Sequence, residues 1–349
     1  MRISTETLPL TEYLETKVYT LVDDLIEVRI MTYGGIVMEI KVPDKDGKMT
    51  DVTLGFSNPS DYVKSKYMND CPYFGAIIGR YANRIKNGKF QINEHEYNLD
   101  KNNGKNHLHG GYRGFDKVIW EDEIIDYFES KALKLSYVSE DGDQGYPGQL
   151  RVEVTYYIES GNAFGIDFRA TSNATTPINL TWHGYFNLSG EGNGHILEHE
   201  LQINAAQLTE VNTEGIPTGN ILNVSNTPFD FMTPHTIGSR IKDTPIGYDH
   251  NYVRFLYGDI PRVIASAHSP VTGIRMTVWT TQPGVQFYSA NFLDAKFTGK
   301  SGTLYGAYSG FCLETQHFPD SVNNPHFPKT LLEAGEIFQE STIYRFDAK

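Results

Sequence analysis

The chain has 349 residues, with 30 Lys and Arg against 43 Asp and Glu, a formal net charge of −13 at neutral pH. Polyanion binding needs a surplus of basic residues, so this balance argues against nucleic acid or an anionic membrane as the main partner. Twenty-two Tyr, 19 Phe and 3 Trp beside 32 Gly and 16 Pro favour strands joined by many turns, which sets aside an all-helical protein. Two distant cysteines, Cys71 and Cys312, leave no disulfide framework and no thiolate metal cluster, so free thiols in a reducing compartment are expected. Glu6, Glu12 and Glu15 stand where a signal peptide needs an apolar stretch. No run of about eighteen apolar residues is present to cross a bilayer. A cytoplasmic protein is the expectation.

In chain order, Val28-Ile30 and Val37-Glu39-Lys41, split by Gly34-Gly35, read as strands, and Asp44-Lys45-Asp46-Gly47 reads as a hairpin turn. Ser60-Asp61-Tyr62-Val63-Lys64 predicts one helical turn with Ser60 as its cap. Leu133, Leu135 and Tyr137 alternate as in a strand with one buried face. Leu150, Val152, Val154, Tyr156 and Ile158 do so most cleanly, and Ser160-Gly161-Asn162 then turns the chain into Phe164, Ile166 and Phe168. Leu331-Leu332-Glu333-Ala334 predicts a second short helical turn. With no repeat and no linker, residues 1–349 read as a single domain. Strands with one polar side and few short helices predict an all-β fold, a large antiparallel β-sandwich.

Several apparent motifs carry no chemistry. His195-Ile196-Leu197-Glu198-His199 has metalloprotease spacing, but Gly190, Gly192 and Gly194 precede it and a strand pattern follows, whereas zinc binding there needs a helix. In Ile178-Asn179-Leu180-Thr181-Trp182-His183, apolar residues share one strand face, so Asn179, Thr181 and His183 share the other. Gly184 then offers room for a ligand or a backbone to approach closely. A structural histidine is the alternative. Phe311 and Leu313 likewise oppose Cys312, Glu314 and Gln316, and a glutamate in an apolar strand needs either a task or a buried partner. Asn106-His107-Leu108-His109-Gly110-Gly111, the loop Gly247-Tyr248-Asp249-His250-Asn251, Asn83-Arg84, and Gln286 on Val285-Gln286-Phe287-Tyr288 complete the candidates.

The ordered set Gly79-Arg80-Tyr81-Ala82-Asn83-Arg84-Ile85, Asn106-His107-Leu108-His109-Gly110-Gly111, Thr181-Trp182-His183-Gly184-Tyr185-Phe186-Asn187-Leu188, Asp249-His250-Asn251, Pro283-Gly284-Val285-Gln286-Phe287-Tyr288 and Phe311-Cys312-Leu313-Glu314-Thr315-Gln316 resembles the aldose 1-epimerase (galactose mutarotase) family. The resemblance spans residues 79 to 316. It implies a galactose-mutarotase-like β-sandwich that interconverts the α and β anomers of free hexoses such as galactose and glucose, with no metal and no organic cofactor. It places the catalytic base at Glu314, the catalytic acid at His183 and a second active-site histidine at His109, with His107 at a variable position. Asn83, Arg84, Asp249 and Gln286 match the positions that bind sugar hydroxyls. Trp182 and Gly184 stand where relatives often carry Asn and Ser, a departure that bears on the preferred sugar.

Opening a cyclic hemiacetal removes the proton from the C1 hydroxyl and protonates the ring oxygen, so a base and an acid must bracket one bond. The expectation is Glu314 as base and a protonated His183 as acid. Alternatives are an epimerase of a hexose 6-phosphate using Arg80 and Arg84, a non-catalytic carbohydrate-binding protein of the same fold, and a glycoside hydrolase with Glu314 and Asp249 as paired carboxylates. The expected partner is a small aldose, and the expected assembly a monomer or homodimer.

Overall fold

The computed structural model describes residues 1–159, 162–254 and 258–349, so two residues of the expected turn Ser160-Gly161-Asn162 lie outside the described ones. The cleanest alternating run becomes the strand Leu150–Glu159, which pairs antiparallel with Ala163–Ser172 in unbroken register. Leu150, Val152, Val154, Tyr156 and Ile158 are buried while Arg151 is exposed. These strands lie within a nine-stranded antiparallel sheet ordered Glu121–Tyr127, Ser130–Ser139, Leu150–Glu159, Ala163–Ser172, Ile337–Ala348, Ile274–Thr280, Arg262–His268, Glu200–Ile203 and His235–Thr236.

Residues 2 to 51 form a five-stranded meander of Arg2–Pro9, Glu15–Asp23, Ile26–Met31, Val37–Pro43 and Met49–Asp51. Its last hairpin turns at Asp44–Gly47 as the sequence predicts, with Gly47 in the left-handed region at φ 78°. A six-stranded sheet runs Tyr185–Phe186, Phe311–Gln316, Gly284–Tyr288, Asp249–Val253, Gln207–Val211 and Pro217–Asn223. One continuous apolar core unites Val28 and Ile40 of the meander, Val154 and Phe164 of the large sheet, and Phe287 and Leu313 of the six-stranded sheet. Burial of each such side chain stabilises by about 1.5–3 kcal/mol, which explains why sheets with one apolar face stack into a sandwich. No helix among the described residues is long and apolar enough to cross a membrane.

Local expectations meet the structure unevenly. The helical turn is Pro59–Val63, and its cap is Asn58 rather than Ser60, because the Asn58 side chain accepts from the Ser60 N–H at 3.1 Å and leaves Pro59 at the first helical position. Leu331–Leu332 is a strand pair with Thr176–Pro177, not a helix. Only Thr181–Trp182 of the expected strand before His183 pairs as strand, against Ile77–Ile78. Asp249-His250-Asn251, expected as loop, opens the strand Asp249–Val253. Val37 and Met38 are both buried, because the pairing with Ile26–Met31 shifts register opposite Arg29 and Ile30. The segment from His195 to His199 has no helix, and His195 and Glu198 are exposed while His199 accepts from the Leu188 N–H.

Arg80 is a structural residue. Its guanidinium is buried and donates to the carbonyls of Ser139, Glu140, Pro147 and Gly148 at 2.8–3.0 Å. Each buried carbonyl left without a donor costs about 1–3 kcal/mol. Arg80→Met should therefore lower unfolding stability by at least about 3 kcal/mol in a denaturant titration. A loss below about 1 kcal/mol would show that water replaces the guanidinium freely.

Candidate active site

Glu314 sits near the middle of the strand Phe311–Gln316, all of whose residues are buried. Alternation sends Phe311 and Leu313 into the core and Cys312, Glu314 and Gln316 to the opposite face. Register then fixes the neighbours. Glu314 lies opposite Gln286, Gln286 opposite Asn251, and Asp249 opposite Tyr288, so polar residues of three strands gather on one face. Gln286 Nε2 donates to Asp249 Oδ1 at 2.6 Å.

His183 follows Thr181–Trp182, held by hydrogen bonds from its N–H to the Ala76 carbonyl and from the Gly75 N–H to its own carbonyl. Asn179 bonds the backbone at Ala82 and His317, and Thr181 donates to the Thr315 carbonyl, so these two tie the His183 segment to its surroundings instead of facing a ligand. His109 ends the short ribbon His107–Leu108, which pairs with Arg84–Ile85. Its N–H donates to the Asn83 carbonyl, and the Asn83 N–H donates to His109 Nδ1 at 3.2 Å, which leaves the ring proton of neutral His109 on Nε2. Asn102 mimics a neighbouring strand by bonding both the N–H and the carbonyl of Leu108. A side chain at Gly110 would place its Cβ 1.9 Å from the Gly79 carbonyl, so the turn after His109 requires glycine.

These segments converge on a cavity of about 490 Å³ lined by Glu314, His183, His109, Asn83, Arg84 and Asp249 among others. That volume falls within the range of small-ligand sites. Gln286 is buried and reaches the cavity through Asp249. His183 Nε2 stands 3.6 Å from Glu314 Oε2, and that carboxylate oxygen has no hydrogen-bond partner in the protein. Arg84 donates from Nε to Asn103 Oδ1 at 3.2 Å.

Burial governs the electrostatics. It pushes the Glu314 carboxyl well above the usual range, with the Asp249 charge adding to the effect and Arg84 opposing it. Desolvation lowers His183 to about 3 and lowers His109 strongly. Burial thus favours the neutral imidazole of His183 in the substrate-free cavity, against the protonated form expected of an acid. His109, His183 and Glu314 also bring ligand atoms within 4.8 Å of one another, a spacing that three metal ligands can have, although no further protein ligand joins them among the described residues.

Other sequence expectations divide. His107 bonds the Asp100 carbonyl and the Tyr146 hydroxyl and is structural. Gly184 leaves no room for a ligand, because a Cβ there would lie 2.4 Å from the Trp182 ring. Trp182 itself is buried and donates to the Gly75 carbonyl, and neither residue lines the cavity. Aromatic residues not anticipated as site residues do line it, Tyr185 and Tyr73 among them. Tyr185 stacks on His183 with centroids 5.0 Å apart, and Tyr73 lies 5.9 Å from His183 and 4.7 Å from His109. Lys117 places its ammonium 5.0 Å from the Tyr73 ring and pairs with buried Asp116. Tyr185 lay within a quoted motif, whereas Tyr73, a non-glycine residue at φ 62°, gives no sequence signal.

The same residues sit within a match to the family model described as aldose 1-epimerase, over residues 17–345. A galactose mutarotase of Bos taurus is 43% identical over 94% of this chain and 93% of its own length. An aldose 1-epimerase of Escherichia coli is 36% identical over 92% of each chain. The crystal structure of a galactose 1-epimerase from Lactobacillus acidophilus superposes with a TM-score of 0.85 at 26% identity, covering 100% of this chain and 99% of that one. A buried carboxyl facing two histidines in a sugar-sized cavity, on this fold and with these relatives, means that the chain belongs to the aldose 1-epimerase family of isomerases.

Proposed function

We propose that Glu314 and His183 are the base and acid of hexose mutarotation, with galactose and glucose as substrates, His109 as a third catalytic group, and Asn83, Arg84, Asp249 and Gln286 holding hydroxyls. The observation that carries this reading is the 3.6 Å approach of a buried imidazole to a partnerless buried carboxylate oxygen on a cavity wall. Ionised Glu314 takes the proton of the C1 hydroxyl while C1=O1 forms, C1–O5 breaks and His183 delivers its proton to O5. Rotation about C1–C2 presents the other face of the aldehyde. O5 then attacks C1, its proton returns to His183, and Glu314 returns a proton to O1. No net proton is consumed and no covalent intermediate forms. His109, with its proton on Nε2, stabilises negative charge developing on a sugar oxygen.

One proton divided between Glu314 and His183 fits this sequence. Carboxylate with imidazolium and carboxylic acid with neutral imidazole are two placements of it, and sugar hydroxyls donating to Glu314 favour the first. The hexose 6-phosphate alternative rested on Arg80 and Arg84; Arg80 is engaged by backbone carbonyls, which leaves it Arg84 on the cavity wall. The non-catalytic alternative lacks its usual cause, since acid and base face each other. The same reading takes residues 1–349 as one domain working in the cytoplasm as a monomer or homodimer.

Polarimetry of freshly dissolved α-D-galactose and α-D-glucose tests the assignment. Glu314→Gln and His183→Ala should each slow the enzymatic decay by about 10²- to 10⁴-fold at unchanged folding. Wild-type turnover by either variant refutes its role. The pH profile adds a second check: the inactive form has both groups protonated, and burial lowers His183 to about 3, so kcat/KM should hold level as pH falls through 6.5. An acid limb at or above 6.5 would contradict the desolvated imidazole. Because a metal trio is geometrically open, dialysis against a chelator is the third test, with unchanged rate expected. Loss of rate that zinc restores would replace the acid-base reading with a metal site.

A further inference from the structure

The His183 ring has a second nitrogen, and its partner is a thiol. Nδ1 lies 3.7 Å from Cys312 Sγ, within hydrogen-bond reach for sulfur, while Nε2 lies 3.6 Å from Glu314 Oε2. Both partners come from one strand, two residues apart on the same face. Pairing of Cys312 with Tyr185, two residues beyond His183, fixes this approach through the backbone. Cys312 is fully buried and lies behind the histidine instead of lining the cavity.

We propose that Cys312 is a positioning residue for His183: its S–H donates to Nδ1 of the neutral ring, which leaves the ring proton on Nε2, facing Glu314 and the sugar ring oxygen. The inference rests on His183 as the acid. When the ring becomes charged, the thiol rotates and accepts from Nδ1–H. A thiol is a weak donor and a weak acceptor, so it can follow the ring through both states. A backbone carbonyl at Nδ1 would only accept and would fix the opposite neutral tautomer, and a carboxylate there would hold the ring charged. The remaining groups around the ring are its own backbone carbonyl, which competes with the thiol for a ring N–H, the stacked Tyr73 and Tyr185, the edge of His109, Glu314, and the backbone at Gly75 and Ala76, with Arg84 and Lys117 elsewhere on the cavity wall. Burial and the Glu314 charge keep the Cys312 thiol from ionising.

The test is ¹⁵N NMR of the histidine rings in the full chain, with polarimetric kcat and KM, for wild type, Cys312→Ala, Cys312→Ser and His183→Ala. The wild-type His183 signal should be that of a neutral ring protonated on Nε2. Cys312→Ala should move it toward the other tautomer and lower kcat on the order of ten-fold with KM little changed, as expected when a histidine loses its orienting partner. Cys312→Ser, which still donates and accepts, should restore both signal and kcat. A wild-type ring protonated on Nδ1 overturns the proposal without any variant, so a misfolded Cys312→Ala does not shield it. A Cys312→Ala enzyme with wild-type kcat and tautomer also overturns it, and an inactive His183→Ala then leaves the site assignment standing. Full turnover by His183→Ala would instead defeat the assignment itself.

Discussion

Everything in the site depends on a carboxyl being carried into the interior by a strand. Glu314 is 3% exposed, in a strand that pairs with Gly284–Tyr288 at Glu314 itself and with Tyr185–Phe186 at Phe311 and Cys312. An isolated buried carboxylate is expensive, and the strand alone does not offset that cost. Phe311 and Leu313, packed into the shared core, keep the strand in place whatever the opposite face carries. The apolar side of one strand thus supports the polar side of the same strand.

The histidines are fixed by backbone more than by side chains. His183 is held at both its N–H and its carbonyl, and His109 exchanges two hydrogen bonds with Asn83. Each side chain is thereby aimed before a substrate arrives, which is what proximity catalysis needs. Tyr73 and Tyr185 complete the arrangement by packing beside the imidazole, and burial of the ring is the physical origin of the lowered His183 pKa. The aromatic-rich composition is used at the site as well as in the core.

How much of this was legible depended on whether a segment has one wet face. Leu150–Glu159 and Ala163–Ser172 show alternation because charged residues such as Arg151 meet solvent on one side. Thr181–Trp182 and Leu331–Leu332 are buried or nearly so on both sides, and two-residue pairings leave no period to read. Asp249-His250-Asn251 looked like a loop since polar residues dominate it, yet Asp249 is polar because its side of the strand lines the site, while His250 packs on Phe229. The residues of the site were legible through ordered motifs. Their protonation was not, because it follows from burial beside Tyr73 and Tyr185, which pattern alone did not place beside His183. Gly184 misled for a related reason: the space a missing side chain leaves was filled by Trp182 from two residues away.

Burial also suits a reaction that must run equally in both directions. In water an imidazole holds a proton over a carboxylate by 6.5 − 4.5 = 2.0 pH units, which is about 2.7 kcal/mol. An acid and base with that gap would favour one placement of the shared proton and hinder the return step, in which the two groups exchange roles. Desolvation raises Glu314 and lowers His183, so burial removes the imidazole's advantage over the carboxylate. The net charge of −13 plays no part in this balance, because the substrate is neutral and the deciding charges are within one cavity. What sets the chemistry is how dry the cavity keeps one carboxyl and one imidazole, and that dryness is a property of the packing around Tyr73, Tyr185 and the strand Phe311–Gln316.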